Sequence, residues 1–248
     1  MPEVNAREGD SGMKPPRSPW DGFPDVLIHA GESAVKQHPA YRAAKSGDDL
    51  AARELVREAI SANKVQALAD LLTARTPVLV SAHAFEQTGV NAIPEALADE
   101  LGRRLGWAVD ANVVQSNIVA HTGADGFSRL ARQARFDGLV VPGVEYVLVD
   151  DFVGMGGTLA NLRGYLLAGG GKVSAAVVLT GKPYSARLTL TQGTLNQLRK
   201  AHGADLEQWW QERFTHAFDA LTESEARYLS RTPDADTVRD HIVAAEQA

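Results

Sequence analysis

Apolar positions along the chain follow two rhythms. Residues 78–80, 146–149 and 173–180 are apolar at nearly every position, the character of short strands buried on both faces. Residues 108–114 read as one more strand. Between these runs apolar residues return at helical spacing. Leu97, Leu101 and Leu105 follow Pro94, which suits a first helical turn, and Gly106 closes that helix. Leu159, Leu162, Leu166 and Leu167 define another helix from Thr158 to about Ala168, ended by Gly169 to Gly171. Strands alternating with helices predict an α/β fold, a parallel sheet of the doubly wound kind.

The flanks read as helical. Residues 40–45 form a short piece stopped near Gly47, and Asp48 or Asp49 caps the next, with Leu50, Leu55, Val56 and Ile60 on its apolar face. Residues 65–74 make another, carrying Leu68, Leu71 and Leu72. Downstream, Thr191 or Thr194 opens a helix ending at Gly203. Asp205 opens one bearing Leu206, Trp209, Trp210, Phe214 and Phe218. Thr222 and Glu225 have capping-box spacing, and a last helix covers 236–245. The Trp209–Trp210 stripe suits packing against the sheet or a dimer contact. Residues 121–138, polar and bounded by glycines, predict a long loop or a loop with a short helix. Residues 1–24 combine Pro, Gly and charge and predict a flexible arm. The expected organisation is that arm followed by a single domain over 25–248, its core at about 76–182 and helical additions at 25–75 and 190–248.

Composition narrows the chemistry. The 248 residues are 44% hydrophobic and 23% charged, ordinary for a globular protein. A net charge of −6 disfavours a nucleic-acid surface built on bulk positive charge. With no cysteine, disulfides, thiolate metal sites and Cys nucleophiles are excluded. No run has the length and apolarity of a signal peptide or membrane span, so the cytoplasm is the expected location.

The candidate chemistry concentrates at residues 145–158, EYVLVDDFVGMGGT. An apolar strand leads to the carboxylates Asp150 and Asp151, and a small-residue turn, Gly154-Met155-Gly156-Gly157-Thr158, opens a helix. Free amides at a helix N-terminus suit a phosphate, and glycines let the backbone approach it. Paired carboxylates suit sugar hydroxyls or a hydrated divalent cation. No Lys follows the glycines, so the turn is not a P-loop, and its spacing is not that of a dinucleotide fingerprint. A tight strand-to-helix turn with Thr158 as N-cap and a solvated Asp pair is the bland alternative.

This run resembles the phosphoribosyl-diphosphate (PRPP) motif of type I phosphoribosyltransferases, with Asp150, Asp151, Gly156 and Thr158 in register. Met155 departs from it, standing where a Thr hydroxyl usually helps hold the 5′-phosphate. Gly89-Val90-Asn91 before a leucine-rich helix, and Gly126-Phe127-Ser128-Arg129 with Arg132, Arg135 and Gly138, are similar to the competence-protein-F-like subgroup. The resemblance covers about residues 78–181. It implies a phosphoribosyltransferase-type sheet, with the N- and C-terminal additions forming a hood over the acceptor base. It implies a homodimer, with PRPP and a small nitrogenous base or nucleotide as partners and Mg2+ as cofactor.

The same resemblance implies roles for single residues. Gly154, Met155, Gly156, Gly157 and Thr158 would cradle the 5′-phosphate. Asp150 and Asp151 would hold the ribose hydroxyls and meet magnesium through PRPP or water. Ala82, His83 and Ala84 would offer backbone amides to pyrophosphate. Glu86, whose charge opposes pyrophosphate, would ligate a second magnesium, bind the acceptor or point away. Arg129, Arg132 and Arg135, at i, i+3 and i+6, would present one face to pyrophosphate or form a solvated basic face, and Arg129 and Arg132 count as catalytic. Tyr184 would stack on the base or cover the sheet edge as a Pro-Tyr turn.

Overall fold

The computed structural model of the protein describes residues 14–82, 85–86, 89–117 and 125–247. The chain enters through β1 (Leu27–Ala30) and four helices, α1 (Glu32–Lys36), α2 (Tyr41–Lys45), α3 (Asp49–Ala59) and α4 (Ala62–Leu71), before β2 (Val78–Ser81). The small ribbon β3 (Phe85–Glu86) and β4 (Gly89–Val90) precedes α5 (Ile93–Leu105) and β5 (Val109–Asp110). Then follow β6 (Val114–Gln115), α6 (Gly126–Ala131), β7 (Phe136–Asp137), β8 (Glu145–Val153), α7 (Gly157–Ala168) and β9 (Lys172–Gly181). Three helices close the chain, α8 (Gln192–Phe214), α9 (Glu223–Ser230) and α10 (Ala235–Gln247).

The fold is α/β. Five parallel strands run in the order β1-β9-β8-β2-β5, helices cover both faces, and helical segments extend it at both ends. β8 is central, its Val149 facing Ser81 of β2 on one side and Val177 of β9 on the other. One face buries Leu97 and Leu101 of α5, with Leu55 of α3 and Leu68 of α4, against Val147, Val149 and Val177. The other buries Leu159, Leu162 and Leu166 of α7 against Tyr146, Leu148 and Val178. A third cluster contains no sheet residue. Trp210, Phe214, Phe218, Leu229 and Ile242 enclose one another and take in Phe127 and Leu130 of α6. Trp210 therefore packs among helices and not on the sheet.

Several boundaries differ from the pattern. β1 was not predicted. The expected strand 108–114 divides, because the Asn112 amide turns back onto the Asp110 carboxylate at 2.7 Å. Only Val109–Asp110 joins the main sheet, and Val114–Gln115 pairs with Phe136–Asp137. α4 lies earlier than the expected 65–74, with Ala74 at a φ of 60° beyond its end. The two helices expected around Gly203 are one element, kinked where Gly203 takes a φ of 74°. Asp48 caps α3, accepting the Ala51 amide at 3.0 Å, and Thr222 with Glu225 completes the capping box of α9.

The described part of the expected flexible arm, residues 14–24, is packed. Arg163 of α7 lies over the Trp20 ring at 4.6 Å and donates to the Ser18 carbonyl at 3.0 Å. The Trp20 indole donates to the Leu221 carbonyl at 2.8 Å. Gly164 makes room for this strap, since a Cβ there would stand 1.9 Å from the Pro16 carbonyl oxygen.

Candidate functional site

β2 and β8 are neighbours, yet the chain leaves them in opposite directions. From β2 it passes through α5 to β5 at one edge; from β8 it passes through α7 to β9 on the other side. α5 and α7 lie on opposite faces, so a crevice opens where the carboxyl ends of β2 and β8 meet, the place where open α/β sheets bind ligands. A cleft of about 270 Å³ occupies it. Ala82, Asp150, Asp151, Gly154, Met155, Gly156, Gly157, Thr158, Arg129 and Arg132 all line it. Residues far apart in sequence are thus brought to one site.

β8 runs to Val153, four residues beyond the apolar run 146–149, so the acid pair sits within a strand. Strand side chains alternate between faces. Val147 and Val149 belong to the α5 side and Leu148 to the α7 side, and the alternation sends Asp151 toward the former and Asp150 toward the latter. The two carboxylates accordingly meet different environments. Asp151 receives the Lys45 ammonium of α2 at 3.0 Å. Asp150 is 6% exposed, and burial, reinforced by the negative charge of Asp151, pushes its carboxyl well above the ordinary range. Its Oδ1 accepts the Asp151 amide at 2.8 Å.

The turn is shaped by its glycines and held from outside. Gly156, with a φ of 84°, is the N-cap of α7; a Cβ on it would lie 2.4 Å from the Leu188 side chain. Thr158 lies inside the first turn and is not the cap. The Met155 side chain packs against the C-terminal helical cluster, and its carbonyl accepts the Thr222 hydroxyl at 2.6 Å. The unexpected methionine is thus a hydrophobic contact that docks the turn onto the C-terminal helices. Thr222→Val removes this clamp and the N-cap of α9 together. The expected cost is about 1–2 kcal/mol of stability, read by calorimetric melting, with weaker anion binding.

Other expected residues fall less simply. α6 ends at Ala131, so Arg129, Arg132 and Arg135 do not share a helical face. Arg129 approaches Gly154, with Nη1 2.9 Å from a Cβ placed there, and Arg132 Nε donates to the Ala245 carbonyl at 3.1 Å. Arg135 is not among the cleft residues. The Ala82 amide is committed to the Val149 carbonyl at 2.8 Å, so Ala82 borders the cleft without a free N–H to offer pyrophosphate. His83, Ala84 and the Glu86 side chain lie outside the described residues. Tyr184, in the 3-10 turn Pro183–Ser185, is 67% exposed and does not line the cleft.

The lining residues that were not anticipated include Lys36, Tyr41 and Lys45 from α1 and α2, Arg17 from the N-terminal strap, and Glu225 from α9. Capping-box spacing flagged Glu225, but not its position beside the turn. Five cationic side chains (Arg17, Lys36, Lys45, Arg129 and Arg132) now face three carboxyl groups, one of them with its ionised form disfavoured by burial. In a chain of net charge −6, this cleft is positive and suited to a polyanion.

No protein-family model matches the chain. It is 40% identical over 229 residues to Protein TraN of Escherichia coli, an alignment covering 92% of this chain and 51% of that protein. It is 37% identical over 152 residues to an uncharacterized protein of Haemophilus influenzae, covering 61% of this chain and 34% of that one. The chain therefore spans about half the length of the first relative and a third of the second. Among solved structures, an adenine phosphoribosyltransferase from Leishmania tarentolae is similar over 84% of this chain and 98% of its own, at 14% identity and a TM-score of 0.35. Adenine phosphoribosyltransferase from Thermoanaerobacter pseudethanolicus covers 55% of this chain and 85% of its own, at 15% identity and a TM-score of 0.34. Likenesses of that size say nothing about chemistry, which rests on the cleft itself.

Proposed function

We propose that the cleft binds PRPP and that the protein transfers its 5-phosphoribosyl group to a nitrogenous base, releasing pyrophosphate. The observation that carries this reading is the convergence of a strand-borne acid pair, a glycine turn opening a helix and an excess of cationic side chains at one sheet switch point. The free amides at the start of α7 and the Thr158 hydroxyl would hold the 5′-phosphate. Asp150 and Asp151 would hold the ribose hydroxyls beside the developing positive charge. Arg129 and Arg132 would face the pyrophosphate. Positioning and electrostatics of this kind carry most of the rate enhancement when the reacting centre becomes cationic.

Magnesium fits the donor set only in part. Asp151 already has Lys45 as counter-ion, burial disfavours the ionised form of Asp150, and no group of three metal-ligating side chains exists among the described residues. The acid pair would meet the ion through PRPP or water, without a protein cage. When bound, magnesium would neutralise charge on the leaving pyrophosphate. Titration calorimetry with PRPP, with and without magnesium, tests the reading. Micromolar binding that depends on magnesium is the expected result, and no binding at millimolar PRPP would overturn it.

A second reading, a non-catalytic PRPP or nucleotide sensor, is favoured by Met155. Its contacts join the phosphate turn to the C-terminal helices and give a bound ligand a path to a partner surface. Pyrophosphate release with any of a panel of purine and pyrimidine bases, lost in Asp150→Asn/Asp151→Asn, would eliminate it.

A further inference from the structure

Glu225 is a carboxylate placed against a turn shaped for phosphate. Its Oε1 lies 2.8 Å from where a Cβ of Gly157 would stand, and the residue lines the cleft. A like charge there opposes an incoming phosphate unless a cation offsets it. Arg17 does so in bidentate geometry, Nη1 to Oε2 at 2.7 Å and Nη2 to Oε1 at 3.0 Å, with both side chains only 2% exposed. Arg17 Nε donates to the Asn161 carboxamide of α7 at 2.6 Å, which fixes the plane of the guanidinium.

The donors do not close on themselves. A guanidinium carries five N–H groups. Three are used by Glu225 and Asn161, leaving one on each terminal nitrogen without a partner among the described residues. Nη2 stands 3.3 Å from the Gly157 Cβ position, at the first turn of α7, and Arg17 lines the cleft. The turn meanwhile lacks a hydroxyl at Met155. A positive group with spare donors therefore borders the place where the turn is short of one.

We infer that Arg17 is a binding residue for the ligand's phosphate and that Glu225 sets the strength of that binding by offsetting Arg17's charge. The two ends of the chain together complete the phosphate site. This rests on the phosphate assignment of the turn made above. Glu225 is also the third residue of the α9 capping box, where its Oε2 accepts the Thr222 amide at 2.9 Å. Glutamine serves in that box as well as glutamate, so Glu225→Gln removes the charge while keeping the cap and a carbonyl acceptor for Arg17. Arg17→Gln alone would strand a buried carboxylate, so it is made only together with Glu225→Gln.

The experiment is titration calorimetry of the full chain with ribose 5-phosphate and with inorganic phosphate at low salt, with the melting point of each variant measured alongside. Glu225→Gln is expected to bind ribose 5-phosphate about tenfold more tightly than the wild type, the effect of removing one like charge a few ångströms away. Arg17→Gln/Glu225→Gln is expected to bind at least about tenfold more weakly than Glu225→Gln. Affinity in Glu225→Gln that is unchanged or weaker overturns the inference, even if the double variant does not fold. A folded double variant that binds like Glu225→Gln overturns it too. Ribose 5-phosphate binding that is insensitive to both changes leaves the PRPP reading standing. Binding of ribose 5-phosphate with these shifts but no binding of PRPP defeats the PRPP reading alone. No binding of any probe defeats both.

Discussion

Asp150→Asn is expected to raise the thermal unfolding midpoint at pH 7.5 and, under the phosphoribosyltransferase reading proposed above, to lower turnover of PRPP at least about a hundredfold. Asp150 is buried beside a second carboxylate, and both effects disfavour its ionised form in the native state. Its folded pKa lies above the unfolded value, so the native protein holds a proton that the unfolded chain has released above about pH 3.8. Native binding of more protons means that stability falls as pH rises through that window. Asparagine has no proton to lose. Its side-chain oxygen can still accept the Asp151 amide, now at 2.8 Å. The gain is on the order of 1–3 kcal/mol, as for an unfavourably buried polar group, and about 2–4 °C per kcal/mol in a chain of this size. Scanning calorimetry at pH 7.5 and pH 4 checks it: the variant's advantage should be present at the higher pH and nearly gone at the lower. A variant that melts below the wild type at pH 7.5 would refute the account.

The loss of turnover follows from the same group under the phosphoribosyltransferase reading. A ribosyl centre becoming positive favours an ionised carboxylate beside it, whereas an amide has no charge to offer. An interaction that grows only toward the transition state appears in the rate and not in ground-state affinity. PRPP affinity should therefore change only a few-fold, while pyrophosphate release falls by roughly the two to three orders of magnitude typical of removing one transition-state contact. Affinity and rate falling together would place Asp150 in ground-state binding instead. Greater stability with lower activity in one substitution is the mark of a group kept for function at a cost to the fold.

What could be read in the sequence is what is local. Residues 145–158 announce their strand, acid pair and turn because one contiguous segment carries all three. The buried strands at 78–80 and 173–180 show as apolar runs for the same reason. β1 escaped notice because it is four residues long with His29 inside it, and its pairing with β9 lies about 150 residues away. The strap at 14–24 has the composition of a loose arm, but it is held by contacts from Arg17 to Glu225 and Trp20 to Leu221 that no local pattern records. The cations were legible only where a motif carries them. Arg129 and Arg132 could be picked out, although the helix meant to align them stops at Ala131. Lys45 and Arg17 come from segments where lysines and arginines are commonplace. Met155 looked like a defect in a phosphate turn, and its contact with distant helices gives it a purpose.

The N-terminal and C-terminal segments also set how the protein responds to acid. His29 on β1 and His216 after α8 are 7% and 5% exposed, and burial lowers each from 6.5 to about 4. His29 Nδ1 accepts the Ser61 amide at 3.2 Å, with Arg104 and Lys64 adding a smaller opposing charge. His216 contacts the Ala217 carbonyl through Nδ1 and feels Arg17 against Glu225. The Nε2 atoms of both rings are buried without a partner among the described residues, so neither ring has a ready acceptor for a second proton. With folded values below the unfolded one, the unfolded chain binds more protons between pH 6.5 and pH 4, so stability falls as pH falls through that window. Down to pH 4.5 the loss is about 2–3 kcal/mol for each histidine. Asp150 works in the opposite direction over part of this range, so the measurement belongs in the Asp150→Asn background. Glu100, held at about 2 by Arg103 and Arg104, loses its contribution only below about pH 4.5 and does not interfere. Urea unfolding at pH 7 and pH 4.5 should show the full loss in Asp150→Asn and only a small one when His29→Asn and His216→Asn are added. Asparagine supplies an acceptor at position 29 and a donor at position 216 without a titrating ring. If the triple variant lost as much stability on acidification as Asp150→Asn, the acid sensitivity would reside in the carboxylates instead.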